Sequence, residues 1–274
     1  MVEKISPFTH EDKNVEWCLD VEPTHRWVRV TVGGETIADS KHALIVRETG
    51  RLPAYYFPWG SVRFALLAES GQRFVSAQKG TVTHWDIRVR DRVIKEAAWS
   101  YLNLGPGSET LERYIAFGWD KVDHWYEEEE ELFKHPRDPH HRVDAIQSSR
   151  RVQVILNDQV VADSIRPVTV FETGLTPRYY LPVDDIRTEF LRPTETKTRC
   201  PYKGVASYWT AEVGEEKYED VVWSYPQPLP EIPKIKGLLS FYNEKVDALL
   251  VDGEKWTLSP DDQLPSAVRP AGND

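Results

Sequence analysis

Cysteine is nearly absent from this 274-residue chain, which has only Cys18 and Cys200. That excludes a disulfide-stapled scaffold and argues against a structural zinc site, which needs several soft ligands at close spacing. Long apolar runs are also missing. No stretch nears the ~20 residues of a membrane-spanning helix, and Met1 to Asn14 is charged where a secretory leader is apolar. Basic residues are in deficit, with 34 Lys and Arg against 44 Asp and Glu and a formal charge of −10. Phosphate backbones and anionic lipid surfaces both call for clustered cations, so nucleic acid and membrane are not expected as partners. A protein of the reducing cytoplasm is expected. What is plentiful is aromatic: ten Trp and twelve Tyr point to aromatic-rich packing or aromatic-lined pockets.

The chain also repeats itself. Residues 28–123 recur as 152–247 at a constant offset of 124 without a gap, with 27 identities in 96 aligned positions. The landmarks are Ala38-Asp39-Ser40 and Ala162-Asp163-Ser164, Glu48-Thr49-Gly50 and Glu172-Thr173-Gly174, and Tyr55-Tyr56 and Tyr179-Tyr180. Further along, Lys79-Gly80 answers to Lys203-Gly204, and Trp99-Ser100-Tyr101 to Trp223-Ser224-Tyr225. A period this long exceeds a solenoid unit, so each copy buries its own core.

The expected division is an N-terminal copy over 1–134, a linker over 135–149, a C-terminal copy over 150–258 and a disordered tail over 259–274. Alternating Val28, Val30, Val32 and Val152, Val154, Leu156 run into Gly33-Gly34 or Asn157-Asp158, dipeptides suited to two-residue hairpin loops. Short β runs with frequent Pro and Gly predict a mainly β class. Each copy is expected to be a small sandwich or open barrel, the two packed as a pseudo-two-fold pair. One short helix per copy is expected, over Ser108–Phe117 and Lys234–Tyr242, with Ser108 as N-cap. The acidic run Glu127–Glu131 reads as a solvated face. The stretch His135 to His141 reads as a rigid, docked connection, and its histidine spacing matches no regular metal-ligand pattern.

The run Phe171-Glu172-Thr173-Gly174, Tyr179-Tyr180, Thr198 to Gly204, Tyr208-Trp209 and Trp223-Ser224-Tyr225-Pro226 resembles the domain of unknown function 427 family. The resemblance extends over the whole second copy and, in outline, the first. It implies a small, mostly β domain, and the family sometimes carries a nucleotidyltransferase label. The residues lend that label no support, since the chain has neither a Gly-rich phosphate loop nor a paired-aspartate metal motif.

Where the copies differ, chemistry is sought. Cys200-Pro201-Tyr202-Lys203-Gly204 stands where the first copy has Ser76-Ala77-Gln78-Lys79-Gly80. A thiol beside an ammonium is drawn toward the thiolate, a nucleophile. Cys200 with Lys203 is therefore the leading candidate pair, with Glu172 as acid or base. Arg199, Tyr202, Tyr180, Trp209 and Trp223 are candidate ligand contacts. Three readings stay open: a small-molecule enzyme using Cys200, a binding module in which Cys200 only lines the wall, and a protein-interaction scaffold. No cofactor is indicated.

Overall fold

Valines at alternate positions set the architecture. Along Val28–Val32 and Val152–Leu156 every second side chain is buried, as a strand with one face on a core requires. Each strand turns back through a two-residue loop in the left-handed region: Gly33 and Gly34 at φ 60° and 77°, Asn157 and Asp158 at 45° and 57°. The structure, a computed structural model, describes residues 17–76, 79–105 and 107–257. The expected tail over 259–274 lies outside them.

Each copy is a sandwich of a seven-stranded and a four-stranded antiparallel sheet. In the second copy the large sheet runs Val143–Gln147, Val168–Glu172, Leu175–Leu181, Leu239–Phe241, Glu216–Ser224, Gly204–Val213, Leu191–Cys200. The small sheet runs Gln159–Ser164, Val152–Leu156, Ala248–Val251, Glu254–Lys255. The first copy has the same order, with Leu19–Pro23 and Leu67–Ser76 at the edges of its large sheet. Among the described residues both large sheets end in unpaired edge strands, and neither copy closes into a barrel.

One face of each large sheet packs on the small sheet. Between them lie Val28, Val30, Tyr55, Phe57 and Ile87 in the first copy, and Val152, Val154, Tyr179, Leu181 and Val213 in the second. Fully burying such an apolar side chain stabilises by about 1.5–3 kcal/mol. The outer face carries a second cluster: Leu44, Val46, Tyr56, Tyr101 and Leu111, or Val168, Tyr180, Tyr208, Trp223, Tyr225 and Ile235. Adjacent tyrosines therefore point to opposite faces in both copies, one into each cluster.

The two expected helices are replaced by something shorter. Each is a single 3-10 turn, Glu109–Leu111 or Pro233–Ile235, followed by a strand, Tyr114–Phe117 or Leu239–Phe241. Ser108 makes no capping bond; its hydroxyl donates to the Gly105 carbonyl at 2.7 Å. The cause is positional: Arg113 and Gly237, equivalent across the repeat, sit at φ 58° and 73°, a conformation that stops a right-handed helix. Leu111 and Ile235 anchor the turns, each with no exposed area.

The repeat starts earlier than its sequence identities indicate. Leu19–Pro23 pairs with Leu44–Glu48 in the same register as Val143–Gln147 with Val168–Glu172. Just before each edge strand, the amides of Cys18 and Arg142 both donate to the following Thr hydroxyl, Thr49 or Thr173, at 2.9 Å. The expected linker, 135–149, thus contains an edge strand of the second copy. A fragment beginning at residue 141 is expected to melt cooperatively, and one beginning at 150 roughly 10 °C lower, for want of that strand. Circular dichroism on the pair checks this.

The segment between the copies is fastened to both. Arg26 donates to the Arg137 carbonyl at 3.1 Å, Arg137 pairs with Glu231 at 3.7 Å, and His140 with Glu22 at 3.2 Å. Arg47 reaches Asp138 at 3.3 Å. The acidic run is solvated except at its start: Glu127 is buried and accepts bonds from Tyr55 and Arg26 at 2.5 and 2.8 Å. No described helix is long and apolar enough to cross a membrane.

Candidate functional site

The hairpin joining Leu191–Cys200 to Gly204–Val213 places the candidate lysine. The Lys203 amide closes the turn on the Cys200 carbonyl at 3.4 Å, and Cys200 is the register partner of Gly204. Gly204 takes φ 108°, and a Cβ there would lie 3.1 Å from the Gln227 carbonyl oxygen. In the first copy Gly80, at φ 85°, leaves only 2.2 Å to the Asn103 oxygen. Glycine after lysine is thus a steric requirement of the turn in both halves.

From that turn the lysine enters the outer face of the large sheet and meets the carboxylate at the end of Val168–Glu172. Lys203 Nζ donates to Glu172 Oε2, as Lys79 Nζ donates to Glu48 Oε2 at 2.5 Å. Both lysines and Glu172 are nearly enclosed; the Lys203 and Glu172 side chains are 10% and 8% exposed. The repeated Glu-Thr-Gly is therefore a buried acid, a threonine that fastens the preceding strand, and a glycine at positive φ, Gly50 or Gly174.

The second carboxylate oxygen separates the copies. In the first, Trp17 Nε1 donates to Glu48 Oε1 at 3.3 Å; in the second, His141 Nε2 donates to Glu172 Oε1 at 3.0 Å. Trp17 and His141 are equivalent positions of the repeat. An indole carries a fixed donor, whereas an imidazole keeps a second nitrogen that can take or give a proton. Burial by itself raises the Glu172 carboxyl, but the His141 hydrogen bond and the Lys203 charge and hydrogen bond outweigh it and hold the group below the usual carboxylate range.

Tyr202 stacks on His141 with ring centroids 4.1 Å apart and leans on His135 at 5.9 Å. Its hydroxyl accepts the Asp138 amide at 2.8 Å, and burial pushes its phenol up to about 12. Farther in, Trp223 Nε1 donates to the Tyr180 hydroxyl at 3.0 Å, a bond repeated at 3.0 Å by Trp99 and Tyr56. Burial raises the Tyr180 phenol far above its ordinary range. Tyr242 lies 4.4 Å from Trp223, and Arg178 sits over both rings at 5.6–5.8 Å while gripping Glu244 through two bonds of 2.5 and 2.9 Å. The first copy has Ala54, Gly118 and Asp120 there.

Six of the eight candidates from the sequence come together on this face: Glu172, Lys203, Cys200, Tyr202, Tyr180 and Trp223. Cys200 is half-buried against the outer cluster, and its sulfur makes no hydrogen bond among the described residues. Lys203, expected to activate that thiol, gives its ammonium to Glu172 instead. Arg199 and Trp209 lie apart. Alternation turns Arg199 away from Thr198 and Cys200, and its guanidinium packs 4.1 Å from the Phe133 ring centroid. Trp209 packs on the inter-sheet core. Sequence reasoning missed His141, Arg178, Tyr242 and Glu244. The offset of 124, carried eleven residues upstream of residue 28, sets His141 against Trp17 and was the signal for the first. A surface groove of about 290 Å³ lies elsewhere in the second copy, between Val160, Ala162, Asp163 and Asp184 to Arg187.

No curated protein matches the chain. A family described as a domain of unknown function (DUF427) matches it twice, over residues 20–128 and 144–252. These spans are themselves offset by 124, and they agree with the early start of the structural repeat. The chain therefore belongs to the domain of unknown function 427 family, as a tandem member with two copies of the domain.

Proposed function

We propose that the C-terminal copy is the working half of the protein and holds a small molecule against the outer face of its large sheet, with Cys200 lining the wall. The observation that carries this reading is the exchange of Trp17 for His141 on the same buried carboxylate. Both halves keep the Glu–Lys pair and the Tyr–Trp bond as framework, while only the second adds groups that respond to a ligand: His141, Tyr202, Cys200 and Tyr242. The first copy serves as support, joined through the segment that Tyr202 and Asp138 pin. With two unpaired cysteines, a reducing, cytoplasmic setting suits the molecule.

A catalytic reading is favoured by one feature. Glu172 fixes the His141 tautomer through Nε2, leaving Nδ1 to exchange a proton with a bound substrate, the orientation a general base requires. Cys200 as activated nucleophile has less support, because the ammonium of Lys203 is committed to Glu172. Alkylation separates the readings. With iodoacetamide at pH 7, Cys200 is expected to react no faster than free cysteine, followed by mass spectrometry of its peptide. A rate tenfold above free cysteine would restore the nucleophile.

A further inference from the structure

Resting on that reading of the site, we infer that its ligand is an uncharged, ring-bearing molecule and not an anion such as a phosphate ester. An anionic ligand is held by cations whose charge is unspent, usually Arg or Lys in a fork or cluster. Here each inward cation already has its anion. Lys203 is bonded to Glu172, and Arg178 holds Glu244 through both of its terminal nitrogens. Arg199 and Lys197 lie on the opposite face of their strand, the first on Phe133 and the second on Ser207 at 2.8 Å.

Glu172, Glu244, Lys203 and Arg178 sum to zero. The other nearby cations stand at the exposed rim, Lys245 4.5 Å from the Tyr242 ring centroid and Lys234 on the Ala145 carbonyl at 3.2 Å, where water screens them.

What the face offers instead is π surface and neutral polarity. Tyr202 and Tyr242 are half-buried there above a buried layer of Tyr180, Tyr208, Trp223 and Tyr225, and flat rings prefer offset or edge contacts with such walls. The polar group left open is also neutral. Ser240 is fully buried between its register partners Tyr180 and Trp223, and its hydroxyl has no partner among the described residues. The first copy has Ala116 at this position, paired in the same way with Tyr56 and Trp99. A buried hydroxyl without a bond is costly, and a neutral donor or acceptor on a ligand satisfies it without bringing a charge into a nearly enclosed site.

The test uses matched probes on the full-length chain: benzamide against benzoate, and adenosine against ATP. The readouts are protection of Cys200 from iodoacetamide and quenching of tryptophan fluorescence. The uncharged member of each pair is expected to protect at concentrations at least tenfold lower than its anionic partner. Glu244→Gln, which leaves Arg178 without its carboxylate, is expected to improve benzoate protection about tenfold relative to benzamide. Anionic members that protect as well or better overturn the charge argument but leave the site in place. If no member protects Cys200 or quenches fluorescence, both the site and the inference fall. If Glu244→Gln leaves benzoate unimproved, Arg178 is not the masked cation and the inference fails.

Discussion

Replacing Lys203 with methionine is expected to lower the stability of the second copy by about 3–5 kcal/mol, the usual cost of stripping one partner from a buried ion pair. The magnitude follows from enclosure. With its side chain 8% exposed, Glu172 would be left bonded only by His141 and largely shut off from water, either as an uncompensated charge or neutralised by taking up a proton. Changing both partners, Glu172→Leu with Lys203→Met, should recover most of the loss, because well-packed apolar replacements of a buried pair are close to neutral.

The same logic holds for Lys79→Met beside Glu48, so urea melts of the two single variants should displace different transitions. The pH dependence has a fixed sign. The Glu172 carboxyl is held below its unfolded value near 4.5. Its contribution is therefore complete above that pH and disappears as the pH falls through the folded value. A Lys203→Met melt that matches the parent would mean the pair is solvated and not part of the framework.

The second large effect belongs to the glycine after each lysine. Gly80→Ala would set a Cβ 2.2 Å from the Asn103 backbone oxygen at φ 85°, so close that the backbone beside the last ladder pair, Thr81 with Leu102, must shift. A loss on the order of 3 kcal/mol is expected, combining left-handed strain with the clash. Gly204→Ala, with 3.1 Å to its nearest oxygen, should cost less. Denaturant titration of both variants checks the order. The reverse order would place the constraint outside the turn.

Much of this was legible from residues alone because β structure writes a period of two. Val28, Val30 and Val32 and their counterparts gave the inward face, Gly33-Gly34 and Asn157-Asp158 gave the hairpins, and the doubled Tyr-Tyr gave one ring to each face. The helices were misread for a physical reason. Ile235, Leu238, Leu239 and Tyr242 satisfy helical spacing, but Gly237 takes positive φ and sends Leu239 into a strand. Lys203 and Glu172 were both singled out, yet their partnership was not. It is a contact across 31 residues made by a hairpin turn and the end of the strand next to the sheet edge, and no local pattern records it. His141 escaped because the landmarks of the repeat fade before residue 28, and Trp17 against His141 shares neither identity nor class. Arg199 lies apart from the others through strand parity, since adjacent residues on a strand look to opposite faces.

The claim that only the later half works is tested most directly by the indole N–H resonances of the full-length protein. Trp223 and Trp99 donate equivalent bonds to Tyr180 and Tyr56, so each reports on its own copy. On titration with benzamide, the Trp223 resonance is expected to move and the Trp99 resonance to stay. Movement of Trp99 alone, or of both together, would contradict the division of labour between the two halves.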